Sequence, residues 1–151
     1  MHKKPAFSMV ELIAVMLIIS ILAAVATPRL SSSFSNRRLE AAVSRLQSDF
    51  SYARSSAKNL GRSVALEFSL AGSSYTMPTL ESPDGDAVYQ VTFADTPYPV
   101  TIVSADFGGD SNIEFDLFGQ ADSTGTVILQ EGSVTRTLNL QRYSGRLEVQ
   151  P

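Results

Sequence analysis

The chain has 151 residues, 44% of them hydrophobic, a formal net charge of -3 and no cysteine. That length accommodates one compact domain and a membrane segment but not two large domains, and the lack of cysteine removes disulfides, thiolate metal ligands and thiol nucleophiles together. The only histidine, His2, lies in a segment expected to be cut away, which leaves no imidazole for general-base or metal chemistry; an enzyme is not expected, nor is a cofactor or a metal site.

The first element is an apolar stretch from Phe7 to Ala26 whose only polar residues are Ser8, Glu11 and Ser20. As a helix it would span about 30 Å, the thickness of one bilayer. His2, Lys3 and Lys4 precede it with no acid among them. By the positive-inside tendency they hold the N-terminus in the cytoplasm and send the remainder outward. A secretory signal peptide begins similarly, and Ala24, Val25 and Ala26 offer it a small-x-small site; a plain single-pass anchor would also fit the length. Neither accounts for Glu11. A carboxylate inside a membrane helix costs on the order of 1–3 kcal/mol and needs a partner. No Lys or Arg lies between Phe7 and Thr27, but a cut before Phe7 would create a charged α-amino group one helical turn from Glu11. That amine would serve within one chain, or between chains in a staggered bundle.

Lys3-Lys4-Pro5-Ala6 followed by Phe7-Ser8-Met9-Val10-Glu11-Leu12-Ile13 resembles the N-terminal signal of type IV prepilins and type II secretion pseudopilins. The resemblance implies cleavage between Ala6 and Phe7 by a prepilin peptidase that also methylates the new amine of Phe7. It further implies that Glu11 directs docking of subunits in a filament, and that Pro28 falls where such helices bend or melt. Ala6 departs from the family, which nearly always has Gly before the cut.

Pro28 has a local reading as well: it lacks an N–H and its ring crowds the carbonyl of Ala24, so the helix is expected to kink or open there. The run Ser31-Ser32-Ser33-Phe34-Ser35-Asn36 holds weak helix formers and is the expected place to flex. An apolar seam then recurs at Leu39, Val43, Leu46, Phe50, Ala53, Ala57 and Leu60, the spacing of a helix packed on a core, with Gly61 placed to end it. Small residues at Ala53 and Ala57 would let a sheet approach closely. Seven basic residues against two acids make residues 29–62 about +5, whereas residues 63–151, with three basic groups and twelve acids, are about -9.

Beyond Gly61 the apolar period falls to two. Val64, Leu66, Phe68 and Leu70 alternate with Ser63, Ala65, Glu67 and Ser69, and Ala71 to Ser74 reads as a turn into Tyr75-Thr76-Met77. Further strands are expected at Val88 to Phe93, Val100 to Ser104, Ile113 to Leu117, Thr126 to Leu129, Val134 to Leu140 and Arg146 to Val149. The fold class is therefore α+β, a long N-terminal helix with a membrane half and an amphipathic half packed on an antiparallel sheet or sandwich head. The organisation reads as a cleaved leader at 1–6, a membrane and assembly helix at 7–28, a helical stem at 29–61 and a β-rich extracytoplasmic head at 62–151. The clusters Asp84-Gly85-Asp86 and Asp106 to Asn112 lack the spacing of a calcium loop and read as turns.

Inside the head, Leu46 to Ala57 with its Tyr52-Ala53-Arg54-Ser55-Ser56-Ala57 end, followed by Val64-Ala65-Leu66 and a final Gly145-Arg146-Leu147-Glu148-Val149, resembles the GspH/FimT branch of minor pseudopilins. The resemblance implies a type IV pilin-like fold, with Tyr52, Ala53, Arg54, Ala57, Gly145 and Arg146 as head-motif residues. The implied function is a structural subunit near the tip of a type II secretion pseudopilus; the alternative is a minor pilin of a type IV pilus, with a role in DNA uptake. The implied partners are other pilin-like subunits, the prepilin peptidase and methyltransferase, the inner-membrane assembly platform, and the lipid bilayer before assembly. The implied location is the bacterial inner membrane, single-pass, with the head in the periplasm. Nucleic acid is not expected as a partner, because Arg142 and Arg146 stand near Glu148 in an acidic head and phosphate binding depends on positive charge.

Overall fold

The computed structural model describes residues 8–82 and 85–150, and for residues 25–32 and Asp86 the backbone alone. Helix α1 runs from Met9 to Leu60. Ser8 starts it: its carbonyl accepts the Leu12 amide at 3.1 Å and its Oγ the Val10 amide at 3.3 Å, in the manner of an N-cap. Gly61 stops it, because its φ of +62 is the left-handed conformation that closes helices and that side chains resist. The chain divides into two compact units between Phe34 and Ser35, within the serine run.

From Met9 to Leu22 the helix carries apolar side chains on every face, with Glu11 as its one charge. All the large side chains from Met9 to Leu22 are exposed, and Ser20 returns its hydroxyl to the Met16 carbonyl at 2.7 Å, which removes its polarity from the surface. A helix apolar all round has its cover supplied by lipid or by other helices. Among the described residues no helix is long and apolar enough to cross a membrane; the described side chains stop at Ala24, short of the apolar sequence that continues to Ala26. The helix continues through Pro28 rather than opening there, one of the two outcomes anticipated from sequence. Proline withdraws a single N–H from the ladder, and one lost bond in a helix of this length leaves the turns on both sides intact.

The second unit begins at Ser35 and carries its own core. The helix contributes Leu39, Ala42, Val43, Leu46, Phe50, Ala53 and Ala57, all buried. Ala42 widens the seam anticipated from sequence, while Leu60 does not belong to it: half exposed, it sits past the last residue that meets the sheets. Among the described residues eight strands follow: β1 Val64–Ser69, β2 Ser74–Ser82, β3 Gly85–Thr92, β4 Thr101–Asp106, β5 Asn112–Phe115, β6 Gly125–Glu131, β7 Val134–Gln141 and β8 Arg146–Val149. They form two antiparallel sheets, ordered β3-β2-β1-β5 and β4-β6-β7-β8. The chain thus changes sheet at β4, returns for β5, and changes again for β6. Each strand turns its apolar alternation toward a shared core in which Phe50 of the helix meets the rings of Phe68, Phe107 and Phe115 at centroid distances of 6.2, 6.3 and 5.9 Å. Pro78 is accommodated in β2 where the register with β3 shifts between Met77 and Glu81, a bulge that spares it a ladder donor.

Candidate functional site

Two constellations tie the helix to the sheets. The first centres on Asp49, which lies one turn beyond Arg45 on α1 and is almost fully buried. Its carboxylate accepts hydrogen bonds from the Tyr75 hydroxyl of β2 at 2.5 Å and the Tyr89 hydroxyl of β3 at 2.8 Å, and from Arg45 Nε at 3.0 Å. Arg45 Nη2 also donates to the Tyr89 oxygen at 2.7 Å. A buried carboxylate is tolerable because every one of these partners is a donor. Burial, reinforced by the Asp49 charge, pushes the Tyr75 hydroxyl far above its ordinary range, and the same causes push Tyr89 up to about 12. The hydrogen bond to Asp49 raises the Arg45 guanidinium, holding its charge in place. Sequence reasoning counted Asp49 as one stem acid among others; its i, i+4 spacing to Arg45 and the two tyrosines in neighbouring strands were the signal available.

The sign for pH follows from the phenols. A free tyrosine titrates near about 10, so a Tyr89 held neutral to about 12 favours the folded state fully below that lower value, and the contribution is lost as pH rises through the upper one. Alkaline unfolding followed by circular dichroism should therefore show the head weakening between about pH 10 and 12. Tyr89→Phe should make that limb shallower, with Tyr75 retaining part of it; an unchanged alkaline slope would contradict the assignment.

The second constellation joins the motif residues named from sequence. Ala53 and Ala57 are fully buried, and their small side chains bring this end of the helix against the loops that precede β6 and β8. Arg54 Nη1 donates to the Ser144 carbonyl at 2.6 Å. Gly145 follows with φ +59, and a Cβ there would stand 2.9 Å from Arg54 Cδ and 3.0 Å from the Gly119 carbonyl oxygen. The arginine of the helix end and the glycine before the last strand therefore form one contact. Tyr52 is half exposed and lays its ring beside that of Tyr89 at 5.8 Å, on the Asp49 side. Arg146 is exposed and its backbone pairs with Gln141; with Arg54, Gln47 and Glu148 it lines an open groove of about 510 Å³. Gln47 Nε2 closes part of that groove by donating to the Leu147 carbonyl at 2.9 Å.

The Gly145 contact is testable against an internal standard. Gly132 has the same φ of +59, but its added Cβ would meet nothing nearer than Ser35 Oγ at 3.7 Å. Gly132→Ala should cost only the conformational penalty, about 1–2 kcal/mol, whereas Gly145→Ala should cost about 1–3 kcal/mol more for the crowding. Equal losses in denaturant titrations would show that Arg54 and Gly119 yield freely.

Glu11 is exposed in the first turn of α1; Ala6 and Phe7 lie outside the described residues, as does Asp84. The Asp106 carboxylate accepts the Gly109 amide at 2.8 Å and Asp110 the Asn112 amide at 2.7 Å, so both stabilise the turn into β5. Among the described residues no three acidic or imidazole side chains are grouped as metal ligands.

A long N-terminal helix packed through its C-terminal half on an antiparallel β head is the architecture of the type IV pilin-like subunits. Two crystal forms of the type IV minor pilin FimU from Pseudomonas aeruginosa strain PAO1 share it. One, at TM-score 0.58 and 18% identity, covers 77% of this chain and 90% of its own; the other, at 0.54 and 18%, covers 74% and 92%. The model of the type II transport protein GspH matches residues 42–145, and the prokaryotic N-terminal methylation motif matches residues 1–27. The chain belongs to the GspH family, whose members are structural pilin-like subunits. No curated protein sequence matches it.

Proposed function

We propose that this chain is a minor pseudopilin near the tip of a type II secretion pseudopilus, supporting export of proteins across the outer membrane. The observation that carries the reading is the union, in one chain, of the methylation motif at 1–27 with the GspH match at 42–145. In this reading the chain waits in the bacterial inner membrane with its head in the periplasm. A prepilin peptidase cuts between Ala6 and Phe7 and methylates Phe7, and the apolar helix then leaves lipid for the helices of neighbouring subunits at the assembly platform. The exposure of every large side chain from Met9 to Leu22 supports that exchange, since both environments supply an apolar cover. Glu11 would pair with the new amine as subunits dock, and Pro28 would supply the point at which the helix yields on assembly. Tyr52, Ala53, Arg54, Ala57, Gly145 and Arg146 would hold the head in the shape its neighbours meet.

Intact-mass analysis of the mature protein should show a chain that begins at Phe7 and carries one methyl group on its amine; a chain beginning at Thr27 would assign it to an ordinary signal peptidase. Deleting the gene should leave exported proteins in the periplasm. The shared fold with FimU favours a second reading, a minor pilin of a type IV pilus, and loss of surface pili with secretion unaffected would select it.

A further inference from the structure

The groove between α1 and β8 exposes a strand edge. β8 is an outer strand of its sheet, paired on one side with β7 alone. The Gln150 amide donates to the Thr137 carbonyl at 2.9 Å; alternation along the antiparallel ladder then turns the backbone of Arg146 and Glu148 toward β7 and that of Leu147 and Val149 outward. Gln47 meets that outward edge, its amide donating from the helix to the Leu147 carbonyl at 2.9 Å. The Leu147 N–H points the same way, because both backbone groups of one strand residue lie on one edge. A side-chain amide thus stands where the amide of an added strand would stand. The groove has a volume of about 510 Å³. Its strand wall, from Gly145 to Glu148, is about 13 Å long, the reach of about four extended residues.

Charge sets the direction in which an added segment lies. The charged side chains that line the groove are Arg54, Arg146 and Glu148. Both arginines stand at the Gly145 end, where Arg54 is already fixed by its bond to the Ser144 carbonyl. Glu148 lies further along the strand, on the same face as Arg146. The acids beyond this end belong elsewhere: Asp116 is engaged by the Phe118 and Gln120 amides, and Glu114 and Asp122 line a separate recess with Arg142. An extended segment antiparallel to β8 runs toward Gly145, so its last residue arrives beside Arg54 and Arg146. A terminal carboxylate there gains guanidinium partners, and the residue two places earlier stands opposite Glu148.

We infer that this groove binds the C-terminal end of an extended polypeptide, which adds as a strand to β8 and places its carboxylate on Arg54 and Arg146. Backbone bonds are indifferent to side chains, so selectivity is confined to the carboxylate and to the position facing Glu148, which favours a basic residue. Gln47 satisfies the Leu147 carbonyl while no peptide is bound and gives way to the peptide's own amide. The test passes the full chain, in detergent micelles, over random hexapeptide pools immobilised by their N-termini, one ending in free carboxylates and one in carboxamides. Retention should be on the order of tenfold greater on the carboxylate pool. Arg146→Gln, at a residue whose ladder bonds are made by backbone, should remove most of that difference and leave the melting temperature and the retention on carboxamides unchanged. Among the bound sequences Lys or Arg should be enriched two places before the carboxylate, and Glu148→Gln should erase the enrichment. Deuterium exchange at the Leu147 amide should slow when peptide is bound. Equal retention on the two pools, retention on neither, or an Arg146→Gln variant that discriminates as well as the parent would overturn the inference. Tighter binding to short duplex DNA than to the carboxylate pool would overturn it too, by assigning the arginines to phosphate.

Discussion

Asp49→Ala is expected to destabilise the head by about 3 kcal/mol, and to lower its melting temperature by roughly 10 °C. The loss comes from what it leaves behind. Tyr75 is fully buried and its hydroxyl donates to Asp49, so truncation strands a donor where water cannot reach it, at about 1–3 kcal/mol. The bonds from Tyr89 and Arg45 disappear too, but these groups retain each other, because Arg45 Nη2 bonds the Tyr89 oxygen and its side chain is 42% exposed. The loss should therefore stay below the sum of the separate bonds. Tyr75→Phe removes the stranded donor together with its bond and should cost only about 1 kcal/mol. The double variant should be more stable than Asp49→Ala alone, since removing the Tyr75 hydroxyl as well takes away the stranded donor. The fragment from Ser35 to Pro151, a compact unit with its own core, is the material for urea titrations. An Asp49→Ala midpoint within error of the parent would show that the carboxylate is dispensable to packing.

Glu11→Ala is expected to act on assembly and to leave folding alone. The side chain is exposed in the first turn of the helix, where the other large residues as far as Leu22 are apolar, so removing it relieves a desolvation cost in lipid and should leave insertion intact or improved. In a filament the same change would leave the α-amine of Phe7 without a counter-charge among apolar helices, and recovery of the chain in sheared filaments should fall by at least about tenfold. Glu11→Gln should match it if charge governs docking, and should retain most of the recovery if a hydrogen bond suffices. Equal recovery of both variants and the parent would remove Glu11 from the docking step.

How far the sequence could be read depended on how local the cause was. The helix seam at Leu39, Val43, Leu46, Phe50, Ala53 and Ala57 was legible because burial imposes a period on one continuous element, and the eight strands because alternation and turn residues act over a few neighbours. Leu60 was assigned to the seam and is half exposed, since period alone does not reveal where the sheet beneath a helix ends. Pro28 does not break α1, because a single missing donor is weighed against a whole helix.

The sequence by itself determined that an apolar stretch with the methylation motif precedes an α+β head, and it set Arg54 and Gly145 among the residues that resemble a family head motif. Only the tertiary structure decided that these two residues touch, that β4 and β5 belong to different sheets, and that the carboxylate of Asp49 lies buried beneath two tyrosines. Each of these joins residues far apart in the chain, 26 positions for Tyr75 and Asp49 and 40 for Tyr89 and Asp49. Hydrophobic periodicity says which side of an element is covered; it carries no information about which distant element provides the cover, since apolar burial is non-directional and its partners are selected by packing of the whole core.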